Sequence, residues 1–371
     1  MLLIIVLTHY VPTSFFSGNI ARPAAAVMLT VTGYFFMRIV EREHGLRGAL
    51  GDRCKAALRL SFQRHMRIWP AVAGVVLMYV ALGYLVPGRL TSQIHHTWPL
   101  YLAYMGNVVK MWYEADAFPA HFWLISAQEQ FVFLVLVALV TFGADRIKHM
   151  ITVAVVVGVA ARLIGCFLWM PDHPALATES PFAVADALAL GMLCRTAVAA
   201  NVGTTTLRRR VTLGAICVFL LWAALPNTYA IYFGLMPLLT ALIGCLIILT
   251  LGDEVRVRRF EQAMLSWPAV VLLGQISLSL FLLHPLVNTI INLAYARETG
   301  EILPWWLLAM IGPPASIVVA YGYFRAVEVP IRRFRSSAVR RSPVRSANGA
   351  PRTPLAATPA RAFGRSLAVT S

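Results

Sequence analysis

The sequence predicts an all-α, polytopic integral membrane helix bundle of about ten transmembrane helices, with N and C termini cytoplasmic. Three observations lead there. The 371 residues are 59% hydrophobic and only 13% charged, with a mean hydropathy of +0.70, which leaves too little polar surface for a soluble domain. Apolar runs near the length needed to cross about 30 Å of hydrocarbon recur along almost the whole chain, and in lipid each can satisfy its backbone only as a helix. Basic residues are one-sided: threading the runs alternately leaves all but five of the 32 Lys and Arg (Arg22, Arg89, Lys110, Arg162 and Arg297) on one face, which the positive-inside rule assigns to the cytoplasm.

The spans fall at roughly 1–12, 21–40, 69–87, 120–143, 150–171, 181–199, 211–226, 231–251, 268–291 and 304–325. The first, MLLIIVLTHYVP, is too short to cross and lacks a basic flank, so it either begins upstream of Met1 or only dips into the bilayer. Residues 97–113 are apolar too, but counting them as a span would invert every later loop; they read as a re-entrant or interfacial element. Residues 1–335 form the membrane domain. The tail 336–371, rich in Arg, Ser, Ala and Pro without apolar period, reads as a disordered basic cytoplasmic extension. The net charge of +16 is explained by orientation, and with no basic face on a soluble fold it gives no case for nucleic acid. Five scattered cysteines show no CxxC spacing for a metal or redox pair.

Ionisable groups inside apolar helices are costly, which makes each a functional candidate. Six stand out: His9, Glu129, Arg162, Asp186, His284 and Glu328. Arg162 and Asp186 lie at matched depth, about 8 to 12 Å below the outer ends of their spans, and are expected to form an ion pair that locks two helices. His9, Glu129 and His284 map to the outer halves of their spans, with no obvious cation for Glu129; a histidine pairs with it or desolvation keeps it neutral. Two histidines and a carboxylate at one depth are what proton abstraction from a hydroxyl needs. Arg64 and Arg67, at i and i+3 just before Trp69 and Pro70, are either topology anchors or a receiver for phosphate at the cytoplasmic mouth.

The segments LTHY around His9, MLTVTGYFFM (28–37), RHMRIWP (64–70), HFWLISAQEQFVF (121–133), LGQISLSLFLLHP (273–285) and FRAVEVPIRRF (324–334) occur in an order and spacing that resembles the acyltransferase-3 family of integral membrane O-acyltransferases. The resemblance implies an enzyme of the cytoplasmic (inner) membrane that moves a short acyl group, typically acetyl, from acyl-CoA to a hydroxyl of a carbohydrate or other envelope or secondary-metabolite acceptor, with no bound cofactor. It implies catalytic roles for His9, Glu129 and His284, substrate contacts from Arg64, Arg67, Trp123, Ser126 and Ser277, and a terminal E-x-P at Glu328 and Pro330. Gln128 stands where the family motif has its first glutamate, and the family's first-helix arginine would lie two residues before Met1. A polytopic transporter or flippase is the alternative from another class, its buried charges lining a pathway.

Overall fold

The computed structural model describes Tyr10 and residues 21–86, 88–113, 119–169, 172–200, 204–224, 229–251 and 267–333. The chain divides into a compact unit, Met1–Pro330, and the segment Ile331–Ser371; the architecture below is that of the first. Among the described residues all regular structure is helical. In chain order the helices are α1 (Ala21–Arg42), α2 (Leu50–Leu85), α3 (Arg89–Leu102), α4 (Gly106–Tyr113), α5 (Phe122–Phe142), α6 (Ile147–Trp169), the short α7 (Pro174–Thr178), α8 (Ala185–Ala199), α9 (Thr204–Ala224), α10 (Tyr229–Leu251), α11 (Pro268–Gln275), α12 (Ser277–Thr299) and α13 (Trp305–Tyr323), which continues into a π-helical turn, Phe324–Glu328. The expected first span, apart from Tyr10, and the tail beyond residue 333 lie outside the described residues.

Among the described residues six helices are long and apolar enough to cross a membrane: Pro23–Arg42, Leu50–Leu85, Phe122–Phe142, Ala144–Trp169, Ser277–Thr299 and Trp305–Arg333. The expected spans 181–199, 211–226 and 231–251 are also helical, as α8, α9 and α10, and Phe233–Leu249 of α10 is a shorter apolar helix among the described residues. Packing explains α8. It lies between α1, α6 and α10 and is buried along most of its length, so it meets protein where an outer helix meets lipid.

Two groups of helices make up the unit. One joins α1, α6, α8, α9 and α10; the other joins α2, α3, α5, α12 and α13. Small residues set the first: a Cβ on Gly33 would collide with the carbonyl oxygen of Leu188, and one on Gly191 with that of Thr30. Such backbone-to-backbone approach is how membrane helices associate when lipid removes the hydrophobic drive between them. Gly191→Val is therefore expected to force α1 and α8 apart at a cost of about 3 kcal/mol, the upper end for overpacking, read as a fall in Tm of the solubilised protein. Gly143 and Gly300, both at positive φ, end α5 and α12.

Helix α2 differs most from its expected boundaries. It is unbroken from Leu50 through Pro70 to Leu85, about 53 Å long, where hydropathy places lipid entry only at Trp69. Returning from its outer end, α3 packs back along it, and the indole of Trp69 donates to the Leu102 carbonyl (3.1 Å). The turn after α3 thus lies about 20 Å below where that helix begins, and the eight-residue α4 is too short to leave as a span. Residues 89–113 form a helical hairpin that folds back along α2.

Candidate functional site

The depth of the site is set by two contacts between the antiparallel helices α2 and α5. Near the basic end, Arg53 Nη1 donates to the Thr141 carbonyl (3.3 Å). Eleven residues along α2 and twelve back along α5, about 17 Å in, Arg64 meets Glu129. Arg64 Nε donates to both carboxylate oxygens (2.9 and 2.8 Å) and Nη2 donates to Oε1 (2.6 Å). This corrects two expectations: Glu129 has a cation partner, and Arg64 is inside the bundle rather than at its mouth. The cause is the continuity of α2, which runs unbroken through Arg64 and packs against α5 before its sequence turns apolar at Trp69. Arg67, one turn further on, is exposed.

Arg64 keeps one edge for other work. Nε and Nη2 are given to Glu129 and the guanidinium carbon lies 5.8 Å from the Phe36 ring, while Nη1 donates no hydrogen bond among the described residues. Gln128 Nε2 also donates to Glu129 Oε1 (3.2 Å). The tip of the helical hairpin closes the site: the His65 ring lies 5.8 Å from the Tyr104 ring and 5.6 Å from that of Trp69.

Irregular backbone at this depth persists only where protein satisfies it, and α5 does so. Gly106 N donates to Ser126 Oγ (2.9 Å), Gln130 Nε2 donates to the Tyr104 carbonyl (2.7 Å), and the side-chain amides of Asn107 and Gln130 bond reciprocally (2.9 Å each). Ser126, expected to touch substrate, caps the N-terminus of α4 from a neighbouring helix. Ser126→Ala should remove that cap at about 1 kcal/mol and raise hydrogen–deuterium exchange in residues 103–113 selectively.

A second polar cluster lies nearer the outer end of α5. His284 is fully buried, its Nδ1 against the Leu280 carbonyl (3.1 Å) and its ring 5.7 Å from that of His121, whose Nε2 bonds the Leu282 carbonyl (3.1 Å). A proton on His284 Nδ1, held by that carbonyl, puts the lone pair on Nε2. His121 is eight residues, about 12 Å along α5, from Glu129, so Glu129 and His284 are separate centres and not one acid–base group as expected. His9 lies outside the described residues. The next residue, Tyr10, is buried with its hydroxyl donating to the His284 carbonyl (2.9 Å), 2.5 Å from Ser316 Oγ and with its ring against Gly312.

Glu328 is buried in the π-helical turn and accepts from Ser279 Oγ (2.5 Å). Ser277, the serine expected to contact substrate, is the half-buried first residue of α12. Trp123 points elsewhere, lining a small cavity with Arg162, Asp186 and Phe233. Arg162 and Asp186 form a bidentate pair, Nη1 to Oδ1 (2.7 Å) and Nη2 to Oδ2 (2.6 Å); Arg162 also donates to the carbonyls of Ala183 and Gly234 (2.9 Å each). Every nitrogen of this guanidinium is used by protein, which suits a helix lock.

Sequence reasoning missed Ser279, His121, Tyr10 and Gln130 as members of these clusters. His121 and Gln130 stand inside the HFWLISAQEQF block and were open to notice as polar residues in an apolar run; Tyr10 and Ser279 carry no comparable signal. Compared with known protein families, with curated proteins and with solved structures, the chain matches none.

Proposed function

We propose that this chain is a membrane O-acyltransferase that moves a short acyl group, typically acetyl, from acyl-CoA to a hydroxyl of a carbohydrate or other envelope acceptor, in the cytoplasmic (inner) membrane. On this reading α8, α9 and α10 also cross, giving about ten spans with both termini cytoplasmic. One observation carries the reading: segments far apart in the chain, whose order resembles the acyltransferase-3 family, pair with one another. Arg64 meets Glu129, Ser279 meets Glu328, and the residue following His9 bonds the His284 carbonyl.

The chemistry divides between two centres. An alcohol is a poor nucleophile, and a base that removes its proton as the oxygen attacks the thioester carbonyl contributes typically 10²–10⁴-fold. His9 or His284 takes that proton; the carbon–sulfur bond breaks, the new ester forms, and the histidine returns the proton to the departing CoA thiolate. Arg64, its plane fixed by Glu129, offers Nη1 to the acyl donor's carbonyl or phosphate oxygens, and the exposed Arg67 meets the CoA phosphates. His284→Ala should reduce acyl transfer at least 10²-fold with Tm within a few degrees of the parent. The test is incorporation of label from radiolabelled acetyl-CoA into membrane glycans, with other acyl-CoA donors in parallel.

A transporter reading has one observation in its favour, the helical hairpin whose half-helices meet within the bundle, an arrangement that carriers use at their substrate sites. A carrier moves its substrate unchanged, so the same assay separates the two: label covalently bound to glycan supports transfer, and none with any donor ends that reading.

A further inference from the structure

We infer that the chain holds one anionic glycerophospholipid of the surrounding bilayer in a cavity between α6, α8, α9 and α10, apart from both polar clusters. The cavity measures about 390 Å³, within the range of real ligand sites. Its walls are mostly apolar, with Leu193 and Ala197 of α8, Leu207 and Val211 of α9 and Leu242 of α10 among them.

Its position selects a lipid over a soluble metabolite. Among the described residues α9 packs chiefly on α10, so the cavity separates α9 from α6 and α8, and α9 is an outer helix whose Leu213, Leu220 and Leu221 are exposed. A tail can enter sideways from the bilayer, whereas a polar metabolite would have to desolvate against leucine.

Charge selects the headgroup. The cavity lies at the basic end, reached by the last turn of α8 and the first turns of α9. Lys148 stands on its rim, and exposed Arg209 and Arg210 sit between the lining residues Leu207 and Val211. On this inference Arg210, three residues after Leu207 on α9, joins Lys148 in bracketing the lipid phosphate. Each basic residue near an anionic headgroup strengthens attachment about fivefold.

The test is native mass spectrometry of the full chain after extraction from nanodiscs of phosphatidylcholine with phosphatidylglycerol. One retained phosphatidylglycerol per chain is expected, with about thirtyfold weaker retention in Lys148→Gln/Arg210→Gln. Ala197→Trp, which fills the cavity, should abolish retention. Should that variant fold poorly, the rate at which a membrane-permeant maleimide alkylates Cys194, a wall residue, gives a second reading in the unmodified protein: phosphatidylglycerol should slow it and phosphatidylcholine should not. Equal retention of the two lipids, preference for a free fatty acid or acyl-CoA, or retention unchanged in folded Ala197→Trp would overturn the inference. Neither polar cluster enters this test, so its outcome is independent of the acyltransferase reading.

Discussion

Replacing Arg64 by Met is expected to destabilise the protein by about 3–5 kcal/mol and to abolish acyl transfer, whereas Arg64→Met with Glu129→Leu should recover most of the stability and none of the activity. The pair is 18% and 10% exposed at the side chains, so its charges are largely out of water. Removing one partner of such a pair leaves the other charge uncompensated, and that is the costly event; replacing both by apolar residues of similar volume is often neutral. Activity follows a different rule. The proposed donor to the acyl group is Arg64 Nη1, which no apolar residue replaces. Glu129→Gln separates the roles further: an amide keeps one hydrogen bond to Arg64 and loses the charge, so stability should fall less than with Arg64→Met. Melting of the purified variants in one detergent, with label incorporation beside it, reads both. A folded double variant with full activity would remove the pair from the chemistry.

The Arg162–Asp186 pair is expected to behave in the opposite way. Its side chains are 2% and 0% exposed, so Arg162→Met alone should cost at least as much as Arg64→Met, about 3–5 kcal/mol. Arg162→Met/Asp186→Leu should regain most of that, less about 1 kcal/mol for each of the Ala183 and Gly234 carbonyls that lose their donor. Its acyl transfer should stay within a few-fold of the parent, because a helix lock is not a reacting group. An inactive but well-folded double variant would instead place the pair on a substrate path, as the transporter reading requires. The two pairs form a matched control, alike in chemistry and opposed in expected activity.

Much of this was legible in the sequence where lipid imposes a rule on single residues. Helices at most of the expected spans from 21–40 onward and the matched depth of Arg162 and Asp186 follow from hydropathy, charge and rise per residue, whereas the expected span 268–291 is two helices, α11 and α12, the long one at Ser277–Thr299. The boundaries of α2 did not, because hydropathy reports where a helix meets lipid and is silent on a helix that runs on through protein. From that one gap came the misplaced depth of Arg64 and the missing partner of Glu129. The cap formed by Ser126 was hidden for another reason: an SxxE spacing looks alike whether the hydroxyl faces a substrate or caps a neighbouring helix, and α4 shows the cap. Ser279 and Tyr10 depend on which faces of α12 and α13 meet, which no single-chain pattern encodes.

The most direct measurement is covalent incorporation from radiolabelled acetyl-CoA into membrane glycans by cells carrying the parent chain, His284→Ala or Arg162→Met/Asp186→Leu. An acyltransferase built as described should label with the parent and with the Arg162–Asp186 double variant, and lose the signal at least 10²-fold with His284→Ala. Equal labelling by the parent and His284→Ala, or transfer of glycan across the membrane without any covalent change, would contradict it.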